Sequence, residues 1–203
     1  MNIKKLIAVT LSAATFALSL TACGGKSSDS SAGSSSAAKS TTVKLGVVGS
    51  IYEDLWKPAQ ESLKAEGIDL EIVQFSDYAT PNNALNSGDI DLNAFQHQIY
   101  LDNEVEQQGY KIQSIGYTFI IPLNIYSHKV KAISDIKDGD VVAIPDDVTN
   151  GGRAIKVLAA AGLITLKEDA GFNPTLEDIK TYNTKITIKE LKANTIPSVL
   201  DDV

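Results

Sequence analysis

A chain of 203 residues whose apolar share is an ordinary 43% can bury one large core or two small ones. Its formal charge is −7, and Lys4 and Lys5 are the only charges in the first 22 residues, so the remainder is more acidic still. That balance excludes nucleic acid as a partner, and the single cysteine, Cys23, excludes internal disulfides and cysteine-based metal clusters.

Residues 1–22 read as a signal segment: a basic start at Lys4 and Lys5, then an apolar run from Leu6 to Leu20 that is short for a membrane span. Leu20-Thr21-Ala22-Cys23 matches a lipobox, in which the cysteine thiol is lipidated and becomes the new N-terminus. An ordinary signal peptide with an incidental cysteine is the alternative. Residues 24–41 are nearly all Gly, Ser and Ala and carry no apolar period. They read as a flexible tether with a root-mean-square reach of roughly 25 Å, which leaves the folded part beside a membrane surface.

The folded part opens with a strand from Val43 to Val48, a Gly49-Ser50 turn and a helix from Ile51 to Ala65. Ile51, Leu55, Ala59 and Leu63 are placed on its inner face, and Pro58 marks a kink or a late start. Gly67 ends the helix and Ile68 to Phe75 returns as a strand, so the β-α-β opening predicts a parallel sheet and an α/β fold. Asp77-Tyr78 follows, with Thr80 as N-cap and Pro81 at the first helical position. That short helix stops at Asn86-Ser87-Gly88. The chain re-extends from Ile90 to Phe95 and presents Gln96, His97 and Tyr100 where the next helix begins. Polar and aromatic groups therefore cluster at strand carboxyl ends, where open α/β sheets bind ligands.

Tyr100 to Gln108 reads as a helix ended by Gly109, and Lys111 to Phe119 as a strand that continues extended from Ile120 to Tyr126. A run of that length suggests a crossing between two lobes, with 43–121 in the first and 122–203 in the second. Ser134 to Gly139 is a short helix and turn, and Val141 to Ile144 a buried strand. Asn150-Gly151-Gly152 reads as a turn before a helix from Ala154 to Ala161. Leu176 to Ile179 is a short helix, Ile186 to Leu191 a strand, and Ile196 to Asp202 a helix start.

Arg153 is the only arginine in the chain and falls in the first turn of its predicted helix. A cation opposes the helix dipole there unless an anion is close, and the guanidinium fork matches a carboxylate. The two glycines would let backbone N–H groups approach the same anion. A surface ion pair with Asp146 or Asp147 is the alternative reading. His97 lacks partners at metal-ligand spacing, because His128 is isolated, and no G-x-S-x-G elbow supplies a nucleophile. Tyr78, Phe95 and Tyr100 are either core aromatics or the walls of a shared pocket.

The segments DYATPNNALNSGDIDLNAFQHQIYL and IPDDVTNGGRAI, together with the LTAC lipobox, resemble the NlpA lipoprotein family, the methionine-binding lipoproteins of bacterial ABC importers. The resemblance covers residues 43–203. It implies a two-lobed, type II periplasmic-binding-protein fold that closes on a small amino acid, with an ABC-type permease as partner and neither cofactor, metal nor catalytic residue. Tyr78, Phe95, His97 and Tyr100 are implied to line the ligand, and Asn150 and Arg153 to hold its backbone groups. Lipidation at Cys23 implies a cell-membrane location on the extracytoplasmic face. The family's common P-N-D-P-T-N run is here Pro145-Asp146-Asp147-Val148-Thr149-Asn150, which adds an acid at 146.

Family members run on for several dozen residues, so the second lobe is expected to be incomplete at Val203. Apolar faces on Val141 to Ile144 and Ile186 to Leu191 are then expected to lack cover. Two other functions remain open at this point: a secreted lipoprotein with a surface or structural role and no tight binding, and a hydrolase using His97.

Overall fold

The computed structural model describes residues 40–203. The signal segment, Cys23 and almost all of the tether lie outside the described residues. The first strand, β1 (Thr41–Val48), begins two residues before its expected start and takes in Thr41, which ended the expected tether.

β1 is the centre of a three-stranded parallel sheet, between β2 (Ile68–Phe75) and β3 (Leu92–Asn93). Helix α1 (Ile51–Ala65) joins β1 to β2 and runs through Pro58 as one element. Its inner face is Tyr52, Trp56, Ala59 and Leu63, packed on Leu45, Val47 and Leu70. Ile51 and Leu55, placed inside by the sequence reading, are exposed. A strict four-residue step drifts around a helix of 3.6 residues per turn, whereas the 4-3-4 spacing of 52, 56, 59 and 63 stays on one side.

Helix α2 (Thr80–Ser87) begins one residue earlier than expected, and Asp77 rather than Thr80 holds its start. The Asp77 carboxylate accepts from the N–H groups of Ala79 (2.9 Å) and Thr80 (2.8 Å) and from the Thr80 hydroxyl. The Thr80 N–H bond is the main reason the Asp77 pKa lies below the ordinary carboxylate value. Helix α3 (Gln98–Gln108) follows β3 and ends at Gly109, whose φ of 70° suits the left-handed cap.

From Gly109 to Lys131 the chain forms no strand or helix. The strands expected at Lys111 to Phe119 and Ile120 to Tyr126 have no ladder partner among the described residues, and β-rich composition alone does not make a strand. Tyr117 and Ile120 are 89% and 91% exposed. Phe119 still packs on Tyr52, with ring centroids 5.5 Å apart, while Leu123 and Ile125 pack on a second apolar cluster.

That second cluster is built from β4 (Val141–Pro145), α4 (Val148–Ala160), Leu163, Ile164 and Ile186. β4 pairs in parallel with β7 (Thr187–Leu191), and β5 (Ile164–Leu166) pairs antiparallel with β6 (Ile179–Tyr182). Neither β5 nor β6 was visible in the sequence reading. Short 3₁₀ turns stand at Ile133–Asp135, Leu176–Asp178 and Ala193–Val199. The faces expected to lack cover are covered in part: Ile144 and Ile186 are only 2% and 6% exposed, in one cluster with Ile155 and Leu158 of α4, while Val141, Val142, Ala143, Ile188 and Leu191 are half-buried. Among the most exposed large apolar side chains are Ile115, Tyr117, Ile120 and Tyr126, all in the stretch without strand or helix.

Helix α4 begins six residues before its expected start, so Asn150, Gly151 and Gly152 are helical. Two things override the turn reading. Asp147 caps the helix by accepting from the Asn150 N–H at 2.9 Å, and the glycines permit close packing. A Cβ on Gly151 would stand 2.9 Å from the Pro145 carbonyl oxygen, and one on Gly152 would stand 3.0 Å from the Asn173 Cα.

In an unobstructed helix Gly→Ala gains about 0.5–1 kcal/mol. Here the opposite sign is expected. Gly152→Ala should lower the melting temperature, because the obstacle is the backbone of Asn173 rather than a side-chain end. An equal or higher melting temperature would show that the Asn173 loop yields.

Candidate functional site

The carboxyl ends of β2 and β3 deliver the aromatic half of the site. Tyr78 stands between β2 and α2, Phe95 lies just past β3, and Tyr100 is in the first turn of α3. Their rings form a triangle. Tyr78 and Phe95 stack with centroids 6.0 Å apart, and Tyr100 meets them edge-on at 6.1 and 6.0 Å. Such geometry sets positive ring edges against negative faces. Burial raises the pKa of both tyrosines, most strongly at Tyr100, so both rings carry neutral phenols.

His97 is the N-cap of α3. Its Nδ1 accepts from the Tyr100 N–H at 3.1 Å, which leaves the proton of the neutral ring on Nε2. Nε2 then donates to the Asn150 Oδ1 at 3.1 Å. Arg153, one turn further along α4, donates to the same oxygen at 2.9 Å. The Asn150 Nδ2 gives its hydrogens to the Asp147 carboxylate at 3.1 Å. All six residues singled out in the sequence thus belong to one assembly: Tyr78, Phe95, His97 and Tyr100 from the first half, Asn150 and Arg153 from the second.

Three details correct the sequence reading. Arg153 lies in the second turn of α4, not the first. The ion pair with Asp146 or Asp147 is absent among the described residues, and Arg153 turns to Asn150 instead. Gly151 and Gly152 face Pro145 and Asn173, and the Gly151 N–H is used by the Asp147 carbonyl at 2.7 Å, so these amides serve helix and packing.

A cavity of about 230 Å³ opens beside the assembly, lined among others by Tyr78, Tyr100, Asp146, Asp147, Lys192 and Asn194. It is smaller than the roughly 300–1,000 Å³ of drug-sized pockets. Lys192 and Asn194 were not found from sequence. Asn194 donates to the Ser76 carbonyl at 2.9 Å, a contact across 118 residues that no local pattern announces. Asn82, Asn93 and Gln96 were also missed as a group. Asn82 is wholly buried and hydrogen-bonded to both of the others. Among the described residues no group of three His, Cys, Asp or Glu side chains is arranged to hold a metal ion.

Burial is the main cause that lowers the pKa of His97 from the ordinary 6.5; the Asn150 bond opposes it and the Arg153 guanidinium adds to it. With the folded value below the unfolded one, the unfolded chain binds more protons between them. The stabilisation is therefore complete above pH 6.5 and lost as pH falls through the lowered folded value. A magnetic-resonance titration should place the His97 midpoint below 6.5, with thermal stability falling on acidification through it. A midpoint above 6.5 would mean that the fold holds the imidazolium form instead.

A sequence profile described as NlpA lipoprotein matches residues 43–203. Outer membrane lipoprotein 3 of Mannheimia haemolytica is 40% identical over 200 residues, which is 98% of this chain and 71% of that protein. The D-methionine-binding lipoprotein MetQ of Salmonella typhimurium is 44% identical over 161 residues, 79% of this chain and 59% of that protein. Among solved structures, a nutrient binding protein from Burkholderia cenocepacia bound to methionine matches with a TM-score of 0.76 and 43% identity. The match covers 79% of this chain and 68% of that one. This chain therefore spans only 59% of the length of the Salmonella relative. With the profile running through residues 43–203 and identities of this order, the chain belongs to the NlpA lipoprotein family and has the α/β, periplasmic-binding-protein-like fold of its solved relatives.

Proposed function

We propose that this chain is the ligand-capturing part of a membrane-anchored solute-binding lipoprotein, which takes up methionine or a closely related amino acid and delivers it to an ABC-type permease. The observation that carries the reading is Arg153, Asn150 and His97 standing beside the Tyr78, Phe95 and Tyr100 rings. A free amino acid with an apolar side chain needs both kinds of partner. The guanidinium fork suits an α-carboxylate, and the aromatic faces and edges suit a thioether. In this reading the carboxylate is held without the amides of Gly151 and Gly152, which the helix and its packing already use.

His97 acts as a binding residue here. Both of its ring nitrogens are engaged, by the Tyr100 N–H and by Asn150, so neither is presented to a nucleophile as a general base. The named roles of the relatives support the same reading, since they are named as binding proteins and not as enzymes. Residues 43–121 and 122–203 form the two lobes of this reading, with the amino acid between them. Cys23 carries the lipid and residues 24–40 form the tether, which puts the binding part on the extracytoplasmic face of a cell membrane.

Removing one partner of a desolvated charge pair typically costs about 2–5 kcal/mol. Arg153→Ala should therefore weaken methionine binding at least tenfold in calorimetry, with the circular dichroism unchanged. Arg153→Lys should recover only part, because an ammonium cannot reproduce the fork. Equal affinities for wild type and Arg153→Ala would remove the carboxylate role, and no binding heat from the wild-type chain would overturn the function.

The anchor is tested separately. Cys23→Ser should shift the protein from the membrane to the soluble extracytoplasmic fraction on cell fractionation. Retention in the detergent-dependent fraction would sink the lipidation reading.

A further inference from the structure

The segment that carries Phe95 and His97 is held by surprisingly little backbone. The Ala94 N–H bonds the Gly46 carbonyl at 2.9 Å, where the chain leaves the sheet beside β3. The next backbone anchor is His97, whose carbonyl accepts from Tyr100 and Leu101 at the head of α3. Among the described residues neither Phe95 nor Gln96 joins a backbone–backbone hydrogen bond. What ties this stretch down is the Gln96 side chain. Its Nε2 donates to the Asn82 Oδ1 at 2.7 Å, and its Oε1 accepts from the Asn82 Nδ2 at 2.8 Å, a reciprocal amide pair. Asn93 closes the group by donating to the same Asn82 oxygen at 2.9 Å and accepting from Gln96 at 3.2 Å.

Stability alone does not account for such a pair. Asn82 is wholly buried, and two apolar side chains of the same shape there could be neutral or stabilising. What an apolar pair cannot supply is direction: two amides facing each other fix distance and orientation at once. Asn82 also spends none of these bonds on its own helix; its side-chain partners are Asn93 and Gln96. Gln96 lies directly between Phe95, a corner of the ring triangle, and His97, the residue that reaches Asn150.

We infer that the buried Asn82–Gln96 amide pair is a positioning device for the binding site, fixing Phe95 against Tyr78 and Tyr100 and aiming the His97 ring at Asn150. This assignment rests on the methionine reading only where affinity is concerned. The placement of His97 is a property of the protein by itself, and it provides a readout that a merely structural pair would not move.

Two variants test it on the full chain. Gln96→Met keeps an unbranched side chain of similar length and leaves the Asn93–Asn82 bond intact, but removes the amide. The double variant Asn82→Gln/Gln96→Asn restores a reciprocal pair of the same combined length. Gln96→Met should melt cooperatively, bind methionine at least tenfold more weakly, and move the His97 titration midpoint toward the ordinary value; the double variant should return both. A folded Gln96→Met protein with wild-type midpoint and affinity overturns the assignment. If Gln96→Met does not fold, the double variant decides: a wild-type midpoint supports the assignment, and a folded protein whose midpoint stays displaced overturns it. Failure of the functional reading looks different, since wild type would then give no methionine heat while the midpoint still responded to Gln96.

Discussion

The carboxamide of Asn150 is the constraint on which the site depends. Its oxygen takes two donors, the His97 ring and the Arg153 guanidinium, and its nitrogen gives to the Asp147 carboxylate. Flipping that amide would set N–H against N–H on one side and oxygen against carboxylate on the other, so its orientation is fixed from three directions. The same contacts serve the helices. Asp147 caps α4, and His97 caps α3 through the nitrogen that leaves its other one free to reach Asn150. Helix termini and site geometry thus stand or fall together, and both require the neutral imidazole.

Around that constraint the apolar material is divided in two. One cluster lies between α1 and the β1–β2–β3 sheet, the other between α4 and β4. The chain passes from the first to the second between Phe119, which touches Tyr52, and Leu123 and Ile125, which belong to the second cluster. The polar links at His97–Asn150 and Asn194–Ser76 then join residues of the two halves directly. Two small cores hold their own elements, and a few directed bonds set one against the other.

Much of this was legible in the sequence wherever the signal is local. The β1-α1-β2 opening, the helix ending at Gly109 and the strand before Pro145 follow from apolar runs and the residues that stop them. Tyr78, Phe95, His97 and Tyr100 could be put at strand ends for the same reason. Arg153 stood out by itself, as the sole arginine beside two glycines and suited to an anion, whereas Asn150 entered only through motif resemblance, since Gly151 and Gly152 read locally as a turn. The failures were non-local. A strand at 111–126 requires a partner that no window of sequence displays, and the inner face of α1 depended on which 3.6-residue track met the sheet. Asn82 and Asn194 are ordinary surface types until their distant partners are known.

The glycines of α4 bear on where the order of this site comes from. Two adjacent glycines and an asparagine make the opening of that helix a poor helix former, at about 1 kcal/mol per glycine against alanine. They are helical because Asp147 caps them and because Pro145 and Asn173 press against their bare faces. The apolar remainder, Ala154 to Leu158, helps form the core of its half. The turn presenting Asn150 therefore borrows its secondary structure from its neighbours. Among the described helices, the part that meets His97 is one of the least autonomous, and its shape is a property of the assembled half rather than of the segment.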